Sequence, residues 1–337
     1  MGILDTLKTP ETPRPAVDAG PRTDGRTGLW AKLAPYPSLT QLVRHQLDAW
    51  PDHETYMTRR FMDDTPAFLE RSDEVAGLIL KLIGADIETY CADYRWTCDR
   101  FNEEQIYFLR HGKYRYSTFA EAFANVYGDN VYMGRYVHAI LVSQIFWRNH
   151  AQALDHFRTR FLPSAPENFS HLEIGPGHGL SLFFAAREAH AGSVTGWELS
   201  DASVEQTRRC LKCFGIADSV SLVQQDILGT PPQEEAFDTI VISEVLEHLE
   251  RPHAAMETLR LSLKRTGRLL INVPINSPAP DHIYLWTSPA EVEAFARDCG
   301  FSVVGDSGYY PVTGYTLEKA LRHKYNVNCV LMLERDR

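Results

Sequence analysis

The chain has 337 residues, of which 44% are hydrophobic and 23% charged, and its 34 Lys and Arg stand against 44 Asp and Glu for a net charge of −10. That length exceeds one typical domain, and the composition is that of a globular protein able to bury a sizeable core. The acidic balance opposes a phosphate backbone, so no nucleic-acid partner is expected; the basic group Arg110, His111, Lys113 and Arg115 is too small to reverse it.

Residues 1–30 are rich in Pro, Thr, Gly and charge, carry no apolar leader segment and read as a flexible tail. Residues 31–163 read as a helical domain. Leu42, His45, Gln46 and Trp50 mark a first amphipathic helix. Ser72 is placed as the cap of a second, whose Val75, Leu78, Ile79 and Leu82 repeat at helical spacing up to Gly84. A third carries Ile87, Tyr90, Cys91, Tyr94 and Trp96. Ser117, Thr118 and Glu121 make a helix start with an early acid. Residues 130–161 form one long helix or two joined ones, with Tyr136, Ile140, Leu141, Ile145 and Phe146 inward. The prolines at 163 and 166 end the helical part.

From 167 to 337 the pattern alternates between strands and helices. Strands are expected at 172–174, 193–198, 220–225, 239–243, 269–273, 301–304 and 329–333, with an insertion at 309–325 that is helical over 316–323. Such alternation predicts an α/β fold: a doubly wound, mostly parallel, seven-stranded sheet preceded by an all-helical domain. The six cysteines do not have the spacing of a secreted disulfide framework. Cys91 and Cys98 read as core residues, and Cys210 and Cys213 as two thiols near one helix face. No apolar run reaches membrane-spanning length, so a soluble, cytoplasmic protein without a membrane partner is expected.

The run His171-Leu172-Glu173-Ile174-Gly175-Pro176-Gly177-His178-Gly179 takes a strand end through a glycine turn into a helix pattern at 180–188. Glycine tolerates positive φ and admits a ligand close to the backbone, so strand, turn and helix start together form a nucleotide-type cofactor site. Glu198, followed by Leu199, closes the next strand about 20 residues on, where a carboxylate can accept both ribose hydroxyls. Asp226, followed by Ile227, ends the third, where it can meet an adenine amino group.

The G-x-G-x-G spacing after Glu173, with Glu198, Asp226 and the later Ser243-Glu244-Val245-Leu246-Glu247-His248-Leu249, resembles the class I S-adenosylmethionine-dependent methyltransferases over roughly residues 168–337. The resemblance implies a Rossmann-like fold with an antiparallel last strand and S-adenosyl-L-methionine as cofactor. It implies that Glu173, Gly175 and Gly177 hold the methionine side of the donor, Glu198 and Leu199 the ribose, and Asp226 and Ile227 the adenine. Ser243 and Glu244 would also bind the cofactor, and Glu244, Glu247, His248 and His282 would lie nearest the reacting centre.

On a helical turn, Glu244, Glu247 and His248 would share one face, and His282 follows the fifth strand. This E-x-x-E-H run with a downstream histidine is similar to that of the ubiquinone-pathway O-methyltransferases and the small-RNA 2′-O-methyltransferases. That resemblance implies a divalent metal (Mg, Mn, Fe or Zn) on Glu244, Glu247, His248 and His282. Without a metal, His248 or Glu247 would be the general base.

The helical domain is rich in aromatic residues and would serve as a substrate lid and dimer face, so a homodimer is expected. Its cation–aromatic segments at Arg95, Arg115 and the run Trp147-Arg148-Asn149-His150 are candidates for binding a carboxylate. The expected function is methyl transfer to a small-molecule metabolite, with O-methylation of a hydroxyl as the preferred chemistry. The alternative is N- or C-methylation of an amino- or keto-acid-like metabolite in specialised biosynthesis. An alternative of another class is a non-catalytic donor-binding regulator or partner subunit, against which the intact run of motifs argues.

Overall fold

The computed structural model describes residues 25–229 and 231–336, with the backbone alone for residues 25–27. The expected tail lies outside these residues up to residue 24. Its last residues belong to α1 (Gly25–Leu33), which buries Leu29 and Leu33.

Seven helices follow: α2 (Pro37–Ala49), α3 (Glu54–Met62), α4 (Pro66–Ile83), α5 (Ile87–His111), α6 (Phe119–Ala122), α7 (Asn130–Phe146) and α8 (Arg148–His156). Helix α4 begins six residues before Ser72. Thr65 caps it by accepting from the Phe68 amide at 3.3 Å, and Pro66 sits at the first helical position, where its missing N–H costs nothing. Ser72 is instead buried inside that helix. Gly84, at φ 60°, ends α4 as expected. Thr118 and Glu121 form a complete capping box at α6. The 130–161 segment is two helices separated by the extended Trp147, followed by a π-turn at Phe157–Phe161.

Eight strands form one sheet: β1 (Phe169–Ile174), β2 (Ala191–Glu198), β3 (Val220–Gln224), β4 (Phe237–Ser243), β5 (Leu263–Ile275), β6 (Phe301–Val303), β7 (Gly308–Pro311) and β8 (Val327–Arg335). Their order is β3-β2-β1-β4-β5-β8-β6, with β7 paired to β8 off this path. Strands β1 to β5 are parallel, while β8 runs antiparallel to β5, β6 and β7. The count of seven is thus corrected to eight. The added strand, β7, opens the insertion, where four residues beginning in Gly and ending in Pro give no alternating pattern to read.

Helices α9 (Leu180–Arg187), α10 (Asp201–Phe214), α11 (Pro252–Ser262) and α12 (Pro289–Asp298) lie between the strands, and α13 (Leu317–Arg322) falls within the expected helical stretch of the insertion. Runs such as Ile240-Val241-Ile242 are buried throughout, as strands covered on both faces require. One core gathers Leu172, Ile240, Ile242 and Leu269 with Met256 of α11 and Phe295 of α12. The other joins Val241, Leu270 and Val330 of the sheet to Phe183 of α9 and to Phe61, Tyr94 and Phe146 of the helical part. The N-terminal helices therefore share a continuous core with one face of the sheet. Among the described residues, no helix is long and apolar enough to cross a membrane.

His171 of β1 is buried in the sheet with Nδ1 2.9 Å from Thr239 Oγ1, and burial pushes its pKa down to about 3. Burial pushes His53 down to about 4. An unfolded imidazole titrates near 6.5. Below that pH the unfolded chain takes up protons that these two folded-state rings refuse, so their contribution to stability is full above about pH 6.5 and falls as the pH drops toward 4. Urea midpoints of the parent and His171→Gln at about pH 7 and pH 5 check this, and a difference between the two proteins that is the same at both pH values would contradict it.

Candidate functional site

The sheet reverses direction of winding between β1 and β4, and open α/β sheets bind ligands outside the carboxyl ends of strands at that point. The glycine turn leaves β1 there. Gly175 and Gly177 adopt φ of 64° and 52°. A Cβ on Gly175 would lie 2.8 Å from Val245 Cγ2, whereas one on Gly177 meets nothing within 4 Å. Gly175 thus serves close packing and Gly177 leaves the backbone open to a ligand. The Gly177 amide donates to Glu198 Oε1 at 2.9 Å, and Thr207 Oγ1 lies 3.2 Å from the same oxygen. Burial raises the Glu198 pKa.

Leu199, just beyond, is 58% exposed. At the end of the next strand, Asp226 Oδ1 accepts from the Leu228 amide at 2.9 Å in a tight turn, and Ile227 packs into the core beneath. The carboxylates expected at the ribose and adenine positions therefore stand at the ends of neighbouring strands, β2 and β3.

A cavity of about 250 Å³ opens at the turn. Glu173, Ser243, Glu244, His248 and His282 line it from the sheet side, and Tyr136, Gln144 and His150 line it from α7 and α8. Glu173 is buried, and its Oε2 has no hydrogen-bond partner among the described residues. Burial, with the Glu198 charge adding to it, pushes its pKa up to about 8. Such an oxygen suits a cationic donor such as an ammonium group.

The segment after β4 departs from a helical face. Glu244 sits at φ 54°, a left-handed conformation costly for a non-glycine residue, and its amide donates to Asn272 O at 2.9 Å. Its Oε1 accepts from Asn328 Nδ2 at 2.7 Å and Asn272 Nδ2 at 3.1 Å, while another Asn272 contact reaches Ser243 Oγ at 2.9 Å. A 3₁₀ turn over Leu246–His248 follows, which carries Glu247 and His248.

Glu247 is fully buried, neither carboxylate oxygen has a hydrogen-bond partner among the described residues, and burial with the nearby Glu244 charge holds its pKa well above the usual range. His248 Nε2 and His282 Nε2 lie 3.8 and 3.9 Å from Glu247 Oε1. The other nitrogens face backbone carbonyls: His248 Nδ1 lies 3.1 Å from Asp281 O, and His282 Nδ1 lies 2.8 Å from Ser277 O. A carbonyl only accepts, so Nδ1 carries the hydrogen on both rings and each Nε2 presents a lone pair. Burial, with His248 beside it, pushes the His282 pKa down to about 3.

The ligand atoms of Glu247, His248 and His282 lie within 4.8 Å of one another. One orphaned carboxylate and two imidazoles oriented by backbone carbonyls are a donor set suited to a divalent transition metal. Of the four residues expected, these three have ligand atoms this close together; Glu244, beside Glu247, gives one oxygen to the Asn272 and Asn328 amides.

Three side chains around the cluster escaped the sequence reading. Asp281 is buried and accepts from Tyr127 Oη at Oδ2 and Tyr136 Oη at Oδ1, both at 3.1 Å. Tyr127 Oη also lies 3.1 Å from His248 Nδ1. The cation–aromatic segments took other roles: Arg95 lies 5.5 Å over Trp50, Arg115 pairs with Glu104 at 2.8 Å, and Arg148 pairs with Asp64 at 3.1 Å. What the last of these segments brings to the cavity is His150.

Residues 146–303 match the family model of a methyltransferase domain. The ubiquinone/menaquinone biosynthesis C-methyltransferase UbiE of Cronobacter sakazakii is 28% identical over 136 residues, covering 38% of this chain and 54% of that protein. The UbiE of Azotobacter vinelandii is 32% identical over 101 residues, covering 30% and 40%. The chain thus spans about half or less of the length of these curated relatives. Among solved structures, the mitomycin 7-O-methyltransferase MmcR aligns with a TM-score of 0.48 at 17% identity, over 75% of this chain and 72% of that one.

With this domain seated on a doubly wound sheet, the chain is similar to the class I S-adenosylmethionine-dependent methyltransferases.

Proposed function

We propose that the protein transfers the methyl group of S-adenosylmethionine to a hydroxyl of a small molecule. The observation that carries this reading is the bare Nε2 of His248 in the cavity at the glycine turn, its Nδ1–H held by the Asp281 carbonyl. Glu173, Gly175 and Gly177 are assigned to the methionine end of the donor, Glu198 and Leu199 to the ribose, and Asp226 and Ile227 to the adenine. Ser243 and Glu244 flank the sulfonium end.

The acceptor oxygen attacks the methyl carbon in line with the carbon–sulfur bond. The hydroxyl proton passes to His248 Nε2, and S-adenosylhomocysteine leaves with the bonding pair. Glu247 is less suited to be the base, because its buried carboxyl keeps its proton. The helical residues 31–163 are assigned as the lid, which excludes water from the transfer; Tyr136, Gln144 and His150 in the cavity wall support this.

A divalent metal on Glu247, His248 and His282 would take the His248 Nε2 lone pair as a ligand and would acidify the acceptor hydroxyl in place of that base. C-methylation is the second reading. The UbiE relatives are named as C-methyltransferases, and ring methylation beside a phenolic hydroxyl needs the same base.

Elemental analysis and turnover with hydroxylated aromatics test the proposal together. The expected result is methyl transfer to oxygen without a bound metal, His248 acting as the base. A stoichiometric divalent metal in the parent protein, lost in Glu247→Gln, would put the metal in place of that base. Transfer to carbon would select the second reading. Donor binding with no transfer to any acceptor would make the protein a non-catalytic subunit.

A further inference from the structure

A second, larger cavity of about 450 Å³ lies between the N-terminal helices and the segments that follow β5 and β7. Its size is that of a small-molecule pocket. Trp50, His53 and Tyr56 line it as a stack, with ring centroids 4.1 and 4.5 Å apart and planes within 5° and 8° of parallel. Phe101 and Trp147, whose centroids lie 5.3 Å apart, add further aromatic wall. Arg59 lines the cavity, and among the described residues no Asp or Glu does. That charge pattern disfavours a cationic ligand and suits a neutral or anionic one.

Polar atoms on residues of this wall that are buried and have no hydrogen-bond partner among the described residues include Asn149 Oδ1, Asn326 Oδ1 and His53 Nδ1. The two amide oxygens can only accept, so the ligand that completes them must bring donors. The orientation of Asn149 is fixed from the reacting centre. Glu244 Oε1 takes Asn328 Nδ2 at 2.7 Å, and Asn328 Oδ1 takes Asn149 Nδ2 at 2.7 Å, which turns the Asn149 oxygen away from that chain. A second link runs through Ser277, which lines this cavity and whose carbonyl takes His282 Nδ1–H at 2.8 Å. The two cavities therefore adjoin, the Asn149–Asn328 path ending on Glu244 and the Ser277 path on His282.

We propose that the aromatic cavity holds the body of the methyl acceptor, and that this acceptor is a flat hydroxylated aromatic whose donors meet Asn149 and Asn326. The inference rests on reading the glycine turn as the donor site. The stacked rings recognise a planar ligand by its face, and the amide oxygens distinguish a hydroxylated ring from a bare one.

The test is calorimetry on the full chain with 2,3-dihydroxynaphthalene as probe and S-adenosylhomocysteine titrated in parallel. Val312 lines the aromatic cavity and takes no part in the donor site, so Val312→Trp fills the pocket selectively. The probe is expected to bind the parent and to bind Val312→Trp and Asn326→Leu at least about tenfold more weakly, with unchanged affinity for S-adenosylhomocysteine. The saturated decahydro-2,3-diol is expected to bind the parent at least about tenfold more weakly than the aromatic diol. Equal probe binding by parent and variants overturns the proposal, as does no probe binding at about 1 mM where S-adenosylhomocysteine binds. If S-adenosylhomocysteine also fails to bind, the donor-site reading falls with it. Should Val312→Trp not fold, Asn326→Leu carries the same comparison.

Discussion

Replacing His248 by alanine is expected to lower kcat by roughly 10²–10⁴-fold, the usual range for loss of a positioned general base, while affinity for S-adenosylhomocysteine changes little. The separation of effects follows from the geometry. His248 meets the cavity through a nitrogen that no protein group occupies, and its opposite nitrogen is fixed by Asp281 O at 3.1 Å and Tyr127 Oη at 3.1 Å. None of the Glu198, Thr207 or Gly177 contacts passes through it. Single-turnover rates with saturating donor isolate the chemical step. An unchanged rate would show that the acceptor needs no base and that positioning alone suffices. A loss of donor affinity equal to the loss of rate would move His248 from the acceptor side of the centre to the donor side.

The second large effect is expected at Glu198. Hydrogen bonds to a charged acceptor contribute about 1.5–3 kcal/mol each, so losing two ribose hydroxyls in Glu198→Ala should weaken donor binding by roughly 100-fold after partial compensation by water. Glu198→Gln should fall between parent and alanine. Its amide oxygen can still receive the Gly177 N–H that now reaches Oε1 at 2.9 Å, but the charge is gone. Calorimetry with S-adenosylhomocysteine measures both. Equal dissociation constants for parent and alanine variant would end the ribose assignment.

Both predictions begin from motifs that are local in sequence, and that is why the positions of the glycine turn and of the strand-end carboxylates were readable. Gly175 and Gly177 announce a left-handed backbone wherever they stand, and the residue that closes each parallel strand lies at one edge of the sheet by construction. The acceptor side was not readable in the same way. Asp281 meets Tyr136 across 145 residues and Tyr127 across 154, and neither separation leaves a periodic trace. Asp281 stands directly before His282, so attention to that histidine brought the right loop but not its partner.

Glu244 misled for a different reason. The spacing to Glu247 and His248 fits a helical turn, yet the chain leaves β4 through a left-handed residue whose side chain answers to Asn272 and Asn328 in other strands. The start of α4 was misplaced because Ser72 is a good cap by type. The Thr65-Pro66 pair carried the stronger signal, since proline at the first helical position costs nothing and inside a helix costs a great deal.

The position of β8 bears on how the molecule is made. Strand β8 fills the gap between β5 and β6, and its contact with β5 spans 66 residues at Arg268–Glu334. On the ribosome, β1 to β5 can assemble as their helices emerge, but β5 keeps an open apolar edge until residues 327–335 have left the exit tunnel. Ile271, Val273 and Ile275, all fully covered in the finished sheet, lie along that edge. A chain cut anywhere before Val327 would therefore not yield a smaller folded version of the protein. It would present an unpaired strand to other copies of itself, and inclusion bodies rather than a truncated enzyme would be the product of its expression.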